Sequence, residues 1–218
     1  MLAWSVRAFA AADVIGTLIV AAPPGFEGQV KEALRSASVD LVTHSGTNST
    51  VGEVVVVAGG ETRAESVANA LAHVGSEIVV IHDAARPLVT PALVDSVVRK
   101  LQDRPDADGV IAAGPIADTV KRAREPRPAK GEFPRGGPTI RKTESREHLW
   151  AAQTPQAFRT AKLRAAYEQA DPQRIAAATD EAMLLEKAGG KVLIEPAPML
   201  NVKVTTPEDL RIAELLLG

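Results

Sequence analysis

Ile78-Val79-Val80-Ile81-His82-Asp83-Ala84-Ala85-Arg86-Pro87 is an apolar run that stops abruptly in an acid, two small residues, a guanidinium and a proline. The run predicts a strand buried on both faces, and charge at its carboxyl end is what the ligand edge of a parallel sheet presents. The two alanines let backbone approach a ligand while Asp83 and Arg86 reach toward it. Arg binds phosphate oxygens in a fork and Asp can hold a metal or a hydroxyl, so the pattern suits a phosphorylated substrate. It equally suits a plain strand cap in which Asp83 pairs with Arg86. The rest of the chain must decide between the two.

Working outward, strands alternate with helices. Residues 15–22 and the Val-rich residues 53–58 read as strands, with a helix over 25–36 and a short strand over 40–43 between them, and a polar loop over 46–52. The strand over 53–58 runs into Gly59-Gly60-Glu61-Thr62-Arg63-Ala64-Glu65-Ser66-Val67. That is a glycine turn into a helix, where Thr62-x-x-Glu65 fits a capping box and Arg63 and Ser66 lie in the first turn, within reach of an anion or base. By itself Gly59-Gly60 also fits an ordinary strand-to-helix turn. Thr90-Pro91 opens a helix to about Gln102, and residues 109–113 form another strand. A helix follows near 161–169. Thr179-Asp180-Glu181-Ala182 opens one that ends at Gly189-Gly190, with an acid at its start suited to the dipole. Residues 191–195 and 201–204 read as strands, the second carrying Lys203, and Thr206-Pro207 caps a closing helix to Leu217. Leu2, Val6 and Phe9 recur at helical spacing, so the chain opens on a helix with no strand before it.

The interval 116–146 breaks this rhythm. It holds Pro126, Pro128, Pro134 and Pro138, paired Gly136-Gly137 and charges of both signs, so no helix or core strand fits and a protruding arm or hairpin is expected over about 116–147. Residues 150–158 bring the chain back to the body. The expectation is one α/β domain over 1–218: a three-layer αβα arrangement around a mostly parallel, Rossmann-like sheet of nucleotidyltransferase type, with a protruding β-arm.

Composition narrows the function. The chain has 218 residues, 45% of them apolar, and a formal net charge of −2 with no long basic run, so there is no electrostatic footprint for nucleic acid or an anionic membrane. Residues 14–26 are uncharged but too short to span a bilayer, which needs about 20 apolar residues, and Pro23-Pro24 interrupts them. Asp13 and the lack of a basic leader argue against a signal peptide. Cysteine is absent and His44, His73, His82 and His148 are scattered without ligand spacing, which argues against a zinc site. A cytoplasmic protein that binds locally and specifically is expected.

Taken together and in order, several motifs resemble the 2-C-methyl-D-erythritol 4-phosphate cytidylyltransferase family of non-mevalonate isoprenoid synthesis. They are Trp4-Ser5-Val6-Arg7-Ala8-Phe9, Gly59-Gly60-x-x-Arg63-x-x-Ser66-Val67, His82-Asp83-Ala84-Ala85-Arg86-Pro87, Asp118-Thr119-Val120-Lys121, Gln153-Thr154-Pro155-Gln156, Thr179-Asp180-Glu181-Ala182 and the stretch from Asn201 to Leu210. The resemblance implies a cytidine triphosphate site with Gly60, Glu61, Arg63 and Ser66 on the cytosine and ribose side and Ala84, Arg86 and Lys203 nearby. It implies that Asp83, Arg86, Thr154, Thr179 and Lys203 hold methylerythritol phosphate, joined by Thr119 and Arg146 from the arm of a partner subunit in a clasped homodimer. Arg86 and Lys203, with magnesium carried on the triphosphate, would then be the catalytic cations. A substrate phosphate attacking the α-phosphorus needs no general base, so positioning and charge stabilisation carry the rate.

One departure stands out. The family begins with a strand, a glycine-rich loop of the Ala-Ala-Gly-x-Gly-x-Arg kind and a catalytic lysine, none of which matches here. The chain by itself is therefore expected to bind nucleotide poorly, either because a translation start is set too far downstream or because this is a paralogue without activity. Two other functions stay open: a cytidylyltransferase for another polyol phosphate such as ribitol 5-phosphate, and a non-catalytic dimeric nucleotide-binding or scaffold protein.

Overall fold

The structure, a computed structural model, describes residues 1–37, 53–124 and 137–218. Helix α1 (Leu2–Ala10) leads to strand β1 (Thr17–Ala22), helix α2 (Glu27–Ser36), strand β2 (Glu53–Ala58), helix α3 (Arg63–Leu71) and strand β3 (Ile78–Ile81). Helix α4 (Pro91–Gln102) and strand β4 (Gly109–Pro115) follow, then β5 (Lys121–Arg124), β6 (Thr139–Thr143) and β7 (Trp150–Arg159). The chain closes with α5 (Thr160–Gln169), α6 (Pro172–Ala177), α7 (Glu181–Lys187), β8 (Val192–Pro196) and α8 (Pro207–Leu217). The strand expected over 40–43, the loop over 46–52 and the prolines at 126, 128 and 134 lie outside the described residues.

The architecture is mixed α/β. Strand β1 pairs in parallel with β2, from Thr17 opposite Glu53 to Ala22 opposite Ala58. A four-stranded sheet has the order β3-β7-β4-β8, in which β4 and β8 are parallel and β7 runs antiparallel to both neighbours. The expectation of a mostly parallel sheet is corrected here. Strands β3, β4 and β8 do share a direction, but the insertion of β7 makes two of the three pairings antiparallel. Strand β7 escapes sequence reading because Gln153, Thr154, Pro155 and Gln156 are polar or break a strand pattern. Its pairing with β4 shifts register between Ile111 and Ala113, where Ile111 faces Gln156 and Ala113 faces Ala152. The proline therefore sits opposite the irregularity, where a missing N–H costs no ladder bond.

Two further expectations change. Residues 201–204 form no strand; they meet the loop after β3 through one backbone bond, from the Val204 N–H to the Ala85 carbonyl at 2.8 Å, and through side-chain bonds of Arg86 and Lys203. The helix expected from residue 25 starts at Glu27, because Gly25 takes a left-handed φ of +84° that a helix cannot use. Within the arm interval, β5 and β6 make an antiparallel hairpin in which every residue is exposed.

Packing explains the rest. Strands β4 and β7 alternate between two apolar clusters. Val110, Ala112 and Ala157 meet Val97, Val98 and Leu101 of α4, while Ile111 and Phe158 meet Leu163 of α5 and Leu185 of α7. Each fully buried Leu or Phe of this kind contributes about 1.5–3 kcal/mol. A third cluster joins Val6 and Phe9 of α1 to Val54 of β2 and Val94 of α4. Among the described residues no helix is long and apolar enough to cross a membrane.

Candidate active site

The carboxyl ends of β2 and β3 carry the two loops singled out in the sequence. After β2, Gly59 and Gly60 are required by closeness: a Cβ on Gly59 would lie 2.7 Å from Ser66 Oγ, and one on Gly60 would lie 2.2 Å from the Glu65 Cβ. The capping box is present, with Thr62 accepting from the Glu65 N–H and the Glu65 carboxylate reaching back to the cap. The Ser66 hydroxyl serves the turn, accepting from the Gly60 N–H at 3.0 Å and donating to the Thr62 carbonyl at 2.9 Å. Glu61 is exposed and its N–H donates to Glu65.

Arg63, in the first turn of α3, spans to the loop after β3. Its Nε donates to Asp83 Oδ1 at 2.9 Å, and its Nη1 donates to both carboxylate oxygens of Glu181 at 2.8 and 2.9 Å. Lys203 Nζ takes the other Asp83 oxygen at 3.0 Å. Asp83 thus receives one cation on each oxygen, and neither is Arg86, so the strand-cap pairing is not the arrangement adopted. Burial works against ionisation of Asp83, but Arg63 and Lys203 outweigh it and hold the carboxyl below the usual range. Glu181, at the start of α7, is only 1% exposed in its side chain. Burial pushes its carboxyl up and Arg63 offsets part of that, while the Tyr167 hydroxyl donates to it at 3.3 Å.

Arg86 points elsewhere. Its Nη1 donates to the Asn201 carbonyl at 2.8 Å, and its buried Nε has no partner among the described residues. Asn201 is itself buried and donates to Gln153 Oε1 and the Thr154 carbonyl at 2.8 and 2.9 Å. Thr154 is buried as well, at 3% exposure, and accepts from the Asp83 N–H at 3.1 Å. Ala84 and Thr179 are exposed, and the Thr179 hydroxyl donates to the Met183 sulfur at 3.8 Å. The structure therefore gathers Arg63, Asp83, Arg86, Thr154 and Lys203. Thr119 and Arg146 lie exposed beside the β5–β6 hairpin, with no bond to that cluster among the described residues.

A family model described as IspD, 2-C-methyl-D-erythritol 4-phosphate cytidylyltransferase, matches residues 1–218. The chain belongs to the 2-C-methyl-D-erythritol 4-phosphate cytidylyltransferase family. A cytidylyltransferase of that name from Rubrobacter xylanophilus is 44% identical over 162 residues, which are 73% of this chain and 64% of the relative. The bifunctional enzyme IspD/IspF of Anaeromyxobacter dehalogenans is 40% identical over 214 residues, 98% of this chain and 49% of the relative. This chain thus spans about half to two thirds of these relatives' length. A crystal structure of 4-diphosphocytidyl-2C-methyl-D-erythritol synthase from Anaerococcus prevotii superposes with a TM-score of 0.77 at 25% identity, covering 99% of this chain and 85% of that one.

Some residues that build this candidate site escape sequence reading. Glu181 reads locally as a dipole-matched acid at a helix start, yet it is the buried partner of Arg63, 118 residues away in sequence. Asn201, Gln153 and Tyr167 carry no pattern of their own; for the first two, only the quoted motifs hint at a role. His82 is equally silent, and burial lowers its pKa to about 4 from the ordinary 6.5. A lowered folded value means that the unfolded chain takes the proton first. The stability from this group is therefore full above the unfolded value and is lost as pH falls toward the folded one, by at most about 3 kcal/mol. Denaturant unfolding from about pH 7 down to about pH 4.5 should show a steeper loss for the wild type than for His82→Gln. Parallel curves would contradict it.

Proposed function

We propose that the chain carries out cytidylyl transfer: CTP and 2-C-methyl-D-erythritol 4-phosphate give the cytidine diphosphate ester and pyrophosphate. The observation that carries the reading is the convergence, on one loop after β3, of a carboxylate held ionised by two cations and a second, independent arginine. A phosphate oxygen of the polyol attacks the α-phosphorus of CTP, and the bond from that phosphorus to the bridging oxygen breaks as pyrophosphate leaves. Lys203, 43% exposed in its side chain, and Arg86 supply positive charge to the phosphates. Asp83 directs Lys203 and is available to the hydroxyls of the polyol. The glycine turn at Gly59-Gly60 offers backbone to the pyrimidine, beside Glu61, Ser66 and Ala84.

Magnesium fits as a companion of the triphosphate rather than a resident ion. Among the described residues no three His, Asp or Glu side chains cluster, and both Asp83 oxygens are engaged by cations. When bound it would neutralise phosphate charge, while Asp83 stays with Arg63 and Lys203.

The same reading takes the sheets and helices as one three-layer, Rossmann-like domain, which the placement of α4 on one face of β4 and β7 and of α5 and α7 on the other supports. It places the protein in the cytoplasm with its nucleotide. It also makes the arm a dimer clasp, because β5 and β6 are wholly exposed and Ile140, Leu149 and Trp150 are 66%, 38% and 40% exposed nearby. Thr119 and Arg146 would then serve the partner's site.

The test is pyrophosphate release from CTP with the polyol phosphate, in parallel with UTP and with ribitol 5-phosphate. CTP and methylerythritol phosphate together should be the preferred pair; no release with any pair would overturn the reading. Mixing Arg86→Ala with Arg146→Ala subunits should restore activity in heterodimers where one site keeps both arginines. A monomer by light scattering would remove the clasp.

A further inference from the structure

We propose that His82 is the positioning residue of this site. Its ring, fixed as the Nε2–H tautomer between Thr154 and the Arg86 carbonyl, locks the loop that presents Asp83 and Arg86. The hydrogen-bond chemistry assigns every proton. His82 Nε2 lies 3.2 Å from the Arg86 carbonyl oxygen, which can only accept, so Nε2 carries the hydrogen. In a neutral ring Nδ1 is then an acceptor, and the group 3.0 Å from it is the Thr154 hydroxyl, which must donate. That leaves the Thr154 oxygen free to accept, and the Asp83 N–H donates to it at 3.1 Å. The relay runs from the Asp83 amide through Thr154 and His82 to the Arg86 carbonyl without a clash of donors or acceptors.

The consequence is mechanical. Ala84 and Ala85 have no side chain with which to hold a loop, yet the loop must set two charged groups that face different partners. The relay ties its first and last residues to Thr154 on β7, and the bond from the Arg86 N–H to the Asp83 carbonyl, 2.9 Å, closes it internally. On its other side the ring meets Phe9 of α1, with centroids 5.0 Å apart at 45°. Burial keeps the ring neutral, which the acceptor at Nδ1 requires. The opposite tautomer would put a second N–H donor on the Thr154 oxygen beside the Asp83 N–H and reduce the Arg86 carbonyl to the long bond from the Val89 N–H, 3.4 Å.

The kinetic part of this inference rests on the transferase reading, whereas the spectroscopic part does not. In protein labelled with 15N-histidine, long-range proton–nitrogen spectra distinguish the tautomers, and His82 is identified by its loss in His82→Gln. Expected are a protonated Nε2 and a bare Nδ1 at neutral pH, and a mixed tautomer in Thr154→Val. A protonated Nδ1 or a mixed tautomer in the wild type, or an unchanged ring in Thr154→Val, would overturn the proposal. In kinetics, His82→Gln keeps a donor near the Nε2 position and His82→Asn an acceptor near Nδ1. Each should lower kcat/KM for the polyol phosphate about tenfold, and His82→Phe about a hundredfold, with KM for CTP within about twofold, since a small misplacement of reacting groups is this costly. A KM for CTP that rises as much as kcat/KM for the polyol phosphate falls, or no loss at all, would overturn it; His82→Gln is decisive should the Phe variant unfold. A wild type that transfers nothing counts against the proposed function, and the tautomer measurement then decides this inference alone.

Discussion

Arg86→Ala is expected to lower cytidylyl transfer by about a hundredfold to a thousandfold while the protein stays folded. Arg86 stands at the carboxyl end of β3, where its guanidinium keeps one bond to the Asn201 carbonyl and an Nε without a partner among the described residues. Removing one preorganised donor from developing charge typically costs about 2.7–4 kcal/mol of transition-state stabilisation. The structural cost is smaller, because one bond to a carbonyl is lost, about 1 kcal/mol. Arg86→Lys should not recover the rate, since a point charge cannot hold the Asn201 carbonyl and a phosphate oxygen in one plane. Steady-state rates with unfolding curves on the same samples check both halves. A wild-type rate in the alanine variant would remove Arg86 from the site.

The second large effect concerns stability. Arg63→Ala leaves Glu181 buried without its cation, and breaking a buried pair from one side costs about 3–5 kcal/mol. Because the Arg63 side chain is 34% exposed, solvent screens part of this, and about 3 kcal/mol is expected. Replacing both partners, as in Arg63→Met with Glu181→Leu, should recover much of the loss. The pH dependence has a definite sign. Burial already raises the Glu181 pKa, and losing Arg63 raises it further, so the folded state binds this proton more tightly than the unfolded chain. The deficit of Arg63→Ala is then greatest at neutral pH and shrinks as pH falls through the folded value. Denaturant unfolding at two pH values measures this; a deficit under about 0.5 kcal/mol would show that Glu181 does not depend on Arg63.

Periodicity and capping chemistry were legible wherever the determinant is local. Thr62 with Glu65, Thr90-Pro91 and Thr206-Pro207 start their helices where the residues say they should. The short helix α6 has the same signal in Asp171-Pro172, and its lack of apolar periodicity hides it. Strand β7 was hidden for the opposite reason, since a polar, proline-bearing segment becomes a central strand only through the neighbours on either side.

For the candidate site, the sequence by itself determined which stretches end in charge or in a glycine turn at the carboxyl ends of β2 and β3, because an apolar run ending in charge and a glycine turn ending in a capping box are local patterns. It also placed Asp83, Arg86 and Lys203 among the candidates. Only the tertiary structure decided the partners. Asp83 could pair with Arg86 three residues on, but it pairs with Arg63 and with Lys203, 120 residues away. The glycine turn aims Arg63 across to β3, and the Ala85–Val204 bond brings Lys203 in from the far end of the chain. The physical reason is that a charge chooses its partner by distance and burial after folding, and neither quantity is a property of neighbouring residues in sequence.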